Sequence, residues 1–204
     1  MIKNILFDFG DIFIDLDKMA TFNELVRLGI SEFTEEMMLF NQQYEKGLLS
    51  SEEFIDFYAR QFPQATKEQL IDAWNAIILS FPERRLAWLE HHALHGQLRF
   101  FLLSNTNALH ITKVKERMTL ARYERFRSCF ERFYLSHEIG MRKPDVEIFD
   151  LVLEKNDLIA EETLFIDDTK EHIDAADKLG IKTWNLIPGQ EDVTELFIRK
   201  RDLF

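Results

Sequence analysis

"ILFDFGDIF" (residues 5–13) puts a carboxylate at the end of an apolar run: Ile5, Leu6 and Phe7 lead into Asp8, and Phe9-Gly10-Asp11 follow. Apolar residues on consecutive positions suit a strand buried on both faces, as in a parallel sheet covered by helices. Strand interiors seldom hold charge, so Asp8 marks a strand end. Taken alone, an Asp there is most simply a turn or N-cap residue.

Working outward, five short apolar runs predict strands: Ile2–Phe7, Leu98–Leu103, Arg132–Leu135, Thr163–Ile166 and Ile181–Leu186. Helical patterns lie between them. "PDVEIFDLVLEKNDL" (144–158) offers Pro144 for a first turn, and "TKEHIDAADKLG" (169–180) carries Ile173, Ala176 and Leu179 on one face and stops at Gly180. Strand–helix alternation of this kind predicts an α/β fold with a doubly wound parallel sheet. The first two strands are too far apart for one crossover helix. Residues 18–81 fill the gap with helical patterns, two of which open on capping boxes, Ser50…Glu53 and Thr66…Gln69. These features predict a small four-helix domain inserted after the first strand, spanning 17–82, with the core domain at 1–16 and 83–204.

The 204 residues, 46% hydrophobic with 19 Phe but only 7 Gly and 4 Pro, can fill a sizeable, helix-rich core. A formal charge of −11 argues against a nucleic-acid binder, whose affinity comes from a basic surface. One cysteine, Cys129, excludes an internal disulfide and a Cys-rich zinc site. No signal-peptide pattern and no membrane-length apolar run is present, so a cytoplasmic location is expected, with no membrane and no evident protein partner.

The chemistry gathers at the carboxyl ends of the predicted strands. The first ends at Asp8, the second at Ser104-Asn105 and the fourth at Asp167-Asp168; "SHEIGMRKP" (136–144), after the third, brings Lys143. Open α/β sheets bind ligands in the crevice at these ends. Each residue has a plain structural role: Ser104 as a helix cap, Lys143 as a solvated charge, the Asp pair as a cap favouring a helix dipole. Four independent caps at successive strand ends are the weaker account. Carboxylates sharing one crevice repel each other, and a divalent cation resolves this. Hard oxygen donors without a Cys or His cluster point to Mg²⁺.

"FDFGDIFIDLD", "LLSNTN", "GMRKPDVEIF" and "TLFIDDTKEHIDAADKLGI" resemble, in order, the four signatures of the haloacid dehalogenase superfamily. Within it, "YLSHEIGMRKP" and "LLSNTN" resemble most closely the bacterial sugar-1-phosphate phosphatases of the glucose-1-phosphate phosphatase type. The resemblance implies a Rossmann-like core with a helical cap, and a Mg²⁺-dependent phosphatase acting on a small phosphorylated metabolite such as a sugar phosphate. It further implies Asp8 as nucleophile through an aspartyl-phosphate. The metal would be held by Asp8, the Gly10 carbonyl and Asp168, with Asp167 a further or outer ligand. Ser104 and Lys143 would bind phosphoryl oxygens, with the Asn105 amide a further donor.

One position departs from the pattern. Phosphatases of this superfamily carry a general-acid Asp two residues after the nucleophile, and this chain has Gly10. Three readings follow. The chain is a phosphatase whose leaving group needs little protonation, or draws its proton from Asp11, Asp15 or water. It is a metal-independent 2-haloacid dehalogenase, a branch that also lacks the second Asp. Or it is a non-catalytic phosphate-binding or interaction module. The Asp167-Asp168 pair favours the first.

Other signals are weaker. His91 and His95 have metal-compatible i, i+4 spacing but no third ligand nearby, which fits a solvated helix end. His172 follows the Asp pair by about one helical turn, and a surface role is expected for it. The basic stretch at 113–127 reads as a solvated helical face, and the apolar residues around Phe54 and Trp74 as the core of the insertion.

Overall fold

A computed structural model describes residues 1–204. Five strands, β1 (Asn4–Phe7), β2 (Arg99–Ser104), β3 (Arg132–Leu135), β4 (Thr163–Asp167) and β5 (Lys182–Asn185), form one sheet in the order β3-β2-β1-β4-β5. Every neighbouring pair is parallel. The helices are α1 (Ala20–Arg27), α2 (Glu35–Glu45), α3 (Ser51–Gln61), α4 (Lys67–Asn75), α5 (Glu83–His95), α6 (Ala108–Met118), α7 (Leu120–Ser128), α8 (Ser136–Ile139), α9 (Val146–Lys155), α10 (Lys170–Asp177) and α11 (Leu196–Arg199). None is long and apolar enough to cross a membrane.

The two-residue period of the strands divides the core. Ile5, Phe7, Phe100, Leu102, Leu164 and Ile166 face one apolar layer; Leu6, Phe101, Leu103 and Phe165 face the other. Both faces are therefore covered, which is why the strands read as continuous apolar runs rather than alternating ones. β1 lies at the centre, and the strand order reverses between it and β4. That reversal opens the crevice where open α/β sheets hold ligands.

Residues 9–14 close a tight turn directly after β1. The amides of Phe13 and Ile14 donate to the Phe9 carbonyl at 2.9 and 3.3 Å, and the Asp11 amide donates to Ile14 at 2.7 Å. Aromatic packing fixes the turn from below: Phe9 stacks on Phe126 at 5.1 Å, and Phe13 meets the same ring edge-on at 5.1 Å.

Helices α1 to α4 lie between β1 and β2 and build their own apolar cluster around Phe54, Tyr58, Leu70 and Trp74. Both sequence-predicted capping boxes are formed. The chain leaves and re-enters the core side by side: Asp15 and Asp17 donate backbone amides to Ser80 and Ile77, and Leu79 donates back to Asp15. This two-stranded stem joins the insertion to the core. The basic stretch at 113–127 is split between α6 and α7, and α9 begins at Val146 rather than at Pro144, with Asp145 at its N-cap position.

Candidate active site

Lys143 is fully buried, and its ammonium group organises the carboxyl end of the sheet. It donates to Asp8 Oδ1 at 2.6 Å, to Asp167 Oδ2 at 2.6 Å and to the Leu103 carbonyl at 2.9 Å. All three ammonium protons are thus used. The Asn105 side chain clamps the same residue by its backbone, accepting from the Lys143 amide at 2.9 Å and donating to its carbonyl at 2.8 Å. The loop carrying Lys143 is therefore locked to the end of β2.

Burial and charge set opposite tendencies on the two carboxylates. Burial pushes Asp8 up to about 7, against the pull of Lys143 and helped by the negative charges of Asp167 and Asp168. Burial also pushes Asp167 upward, but Lys143 and His172 outweigh it and hold that carboxyl down at about 2. Burial disfavours the charged form of Lys143, yet Asp167 and Asp8 keep its pKa above the ordinary value. His172 is no surface residue: its Nδ1 lies 3.0 Å from Asp167 Oδ2. Asp167 Oδ1 additionally accepts the Thr169 amide at 2.8 Å. Asp167 is the anionic anchor of the cluster.

Asp8, Asp167 and Asp168 each present a carboxylate oxygen within 4.8 Å of the others. Three hard, anionic oxygens at that spacing, backed by one buried ammonium, suit a small divalent cation. The residues present therefore fit Mg²⁺. Asp168 is also paired with Lys18, which bridges to Asp11 at 3.2 Å.

The remaining sequence-predicted residues lie as follows. Ser104 and Asn105 line a cavity of about 130 Å³ that also borders Gly10. Asp11 sits in the left-handed region at φ 56°, accepts the Leu16 amide at 3.0 Å and faces Lys18. Asp15 accepts from Arg85 at 2.8 Å and from Ser80 Oγ at 2.6 Å. Neither of these two lines the cavity. A larger surface cleft of about 470 Å³, bordered by Arg27, Asp72 and Arg117, contains none of the strand-end groups.

The sequence gives no signal for Glu45 and none was read at His110, yet both line the cavity. Glu45 is the last residue of α2, inside the insertion, and accepts from Arg142 at 3.0 Å. Nothing in its surroundings in sequence marks it; only the docking of α2 brings it here. His110 stacks on Trp74 with ring centroids 5.4 Å apart. The Asn107…His110 spacing at a helix start was the available signal, and Asn107 does cap α6 by accepting the His110 amide at 3.0 Å.

Comparison with known proteins identifies the family of the chain. The family model for haloacid dehalogenase-like hydrolases matches residues 104–186. The chain is 28% identical over 207 residues to D-ribitol-5-phosphate phosphatase of Bacteroides thetaiotaomicron, covering 97% of this chain and 98% of that protein. A wild-type haloacid dehalogenase family enzyme of Bacteroides thetaiotaomicron, crystallised with magnesium and inorganic phosphate, superposes with a TM-score of 0.82 at 32% identity, covering 97% of this chain and all (100%) of that one. A predicted HAD-like hydrolase from Porphyromonas gingivalis gives a TM-score of 0.81 at 28% identity, covering 100% and 98%. The chain belongs to the haloacid dehalogenase-like hydrolases. It is an enzyme of that family, and magnesium is the metal its carboxylates suit.

Proposed function

We propose that this chain is a Mg²⁺-dependent phosphomonoester phosphatase that works through an aspartyl-phosphate at Asp8 on a sugar or sugar-alcohol phosphate. The observation that carries the reading is the convergence of Asp8, Lys143, Asp167 and Asp168 beside the cavity bordered by Gly10 and Ser104. The similarity to a D-ribitol-5-phosphate phosphatase over nearly the whole chain supports a polyol or sugar phosphate as substrate. The Asp167-Asp168 pair beside Asp8 weighs against a metal-independent dehalogenase, which needs a nucleophile but no carboxylates to hold a cation.

In this account Asp8 attacks phosphorus while Ser104 holds a phosphoryl oxygen, and Lys143, kept in place by the Asn105 clamp, orients the Asp8 carboxylate and lends its positive charge to the phosphoryl group without a proton left to donate. Bound magnesium, held by Asp8, Asp168 and the Gly10 carbonyl, with Asp167 behind them, would screen the repulsion between carboxylate and phosphate. The insertion at 17–82 acts as a cap over the core at 1–16 and 83–204, narrowing the cavity and excluding water. Phosphate release from a panel of sugar, polyol and simple alkyl phosphates, run with Asp8→Asn as control, tests the proposal. Preference for polyol or sugar phosphates, abolished by the substitution, supports it; turnover that survives Asp8→Asn overturns it.

A further inference from the structure

We propose that Glu45, carried on the insertion, is the general acid–base of this enzyme and does the work for which Gly10 has no side chain. The proposal rests on the phosphatase reading above and deepens it.

Position 10 carries no side chain, and a Cβ built there would lie 2.7 Å from the movable end of Leu16 and 3.8 Å from Asp8 Oδ2, so Leu16 rather than an acid occupies the space beside the nucleophile. The neighbouring acids are committed elsewhere: Asp11 to the Leu16 amide and Lys18, Asp15 to Arg85 and Ser80. A local substitute for the missing acid is absent.

The cavity bordered by Gly10, Ser104 and Asn105 has two ionisable side chains on its wall, Glu45 and His110. His110 has no proton to give. Its Nδ1 lies 3.1 Å from Asn107 Nδ2 and its Nε2 3.2 Å from the Trp74 carbonyl, which makes Nδ1 an acceptor and commits the Nε2 proton. Burial lowers its pKa to about 4, so the ring is neutral. Glu45 is different. Arg142 engages only Oε2, at 3.0 Å, and Oε1 has no hydrogen-bond partner in the protein.

The end of α2 is also held at the site. Lys46 pairs with Asp145 at 2.8 Å, the Tyr44 hydroxyl accepts the Leu109 amide at 3.2 Å, and Gly47 packs on the His137 carbonyl so closely that a Cβ would lie 2.0 Å from its oxygen. Position at a helix C-terminus disfavours a carboxylate anion. Burial raises the Glu45 carboxyl above its ordinary value, against the opposing charges of Arg142, His172 and Lys143.

The proton balance closes. As Asp8 bonds to phosphorus and the ester P–O bond breaks, the Glu45 proton passes to the leaving oxygen and an alcohol departs. Water then attacks phosphorus and gives its proton to the Glu45 carboxylate. The acyl-phosphate bond breaks, releasing inorganic phosphate and restoring Asp8.

The test compares native chain and Glu45→Gln, both with Mg²⁺, on p-nitrophenyl phosphate and glycerol 3-phosphate, with pre-steady-state resolution. p-Nitrophenolate departs without a proton and glycerol does not. The first release of p-nitrophenolate should keep its native rate, while glycerol release falls about 10²- to 10⁴-fold. An equal fall on both substrates, or a rise in KM alone, overturns the proposal and leaves Glu45 a structural or substrate-holding residue. If the native chain releases phosphate from neither substrate, the phosphatase reading itself fails and the acid with it. Retained p-nitrophenolate release by Glu45→Gln also shows that the variant folds.

Discussion

Lys143 reaches Asp8 across 135 positions of sequence to make a 2.6 Å ion pair, and the lysine is wholly removed from solvent. A charge so placed is held by its partners, and they by it. Lys143→Met leaves Asp8 and Asp167 buried without a cation and should destabilise the metal-free chain by roughly 3–5 kcal/mol. Asp8→Asn should act in the opposite direction and raise the unfolding midpoint, because the burial and like charges that push Asp8 upward oppose folding with it ionised. Urea denaturation in metal-free buffer measures both; a Lys143→Met midpoint equal to native would contradict the account.

His110 gives stability a distinct acid dependence. Its folded pKa is depressed to about 4 from 6.5, so the unfolded chain binds the proton first. Stability from this group is complete above pH 6.5 and declines as pH falls towards 4, by up to about 3 kcal/mol. An NMR titration of the imidazoles should find His110 neutral until near pH 4. A midpoint near 6.5 would rule out the role assigned to the ring.

Asp192 acts lower on the pH scale. Burial raises its carboxyl, but hydrogen bonds from Thr194, together with Arg84 and Arg85, outweigh it and bring the group down to about 2. Its contribution is present above about pH 4 and lost as pH falls through 2, and solvent screening of this partly exposed group reduces it to about 1 kcal/mol. Asp192→Asn should remove a similar amount at neutral pH and flatten the stability curve below pH 4. Denaturation midpoints taken at several acid pH values check both effects.

Gly47 sits at φ 67° against the His137 carbonyl. Gly47→Ala both strains the left-handed backbone, by about 1–2 kcal/mol, and forces the end of α2 off the core. The expected result is a folded chain with slower turnover of alkyl phosphates and a smaller effect on p-nitrophenyl phosphate. Identical losses on the two substrates would separate Gly47 from the placement of Glu45.

Much of this arrangement was legible in sequence because it depends on local pattern. The three central strands were marked by apolar runs that double-sided burial requires, and the capping boxes by residues three apart. The strand-end residues followed from the rule that parallel sheets bind ligands at their carboxyl ends. Contacts made by tertiary docking were not legible. Glu45 resembles any polar residue of a surface helix, and the Asn105 side-chain clamp looks like an ordinary post-strand Asn. His172 was one helical turn from the Asp pair, yet only the docking of α10 against β4 turns its ring onto Asp167. Asp11 and Asp15 were attractive acids by proximity alone, and the turn at 9–14 gives both to other partners.

A phosphoryl group carried on Asp8 is the central step of the proposed reaction. Acid quenching of the Mg²⁺-loaded chain during turnover of a ³²P-labelled phosphomonoester, followed by peptide mapping, measures this. Label on the peptide containing Asp8, released by hydroxylamine and absent from Asp8→Asn or after chelation of the metal, is the predicted result. Turnover without protein-bound label, or label that persists in Asp8→Asn, would contradict it.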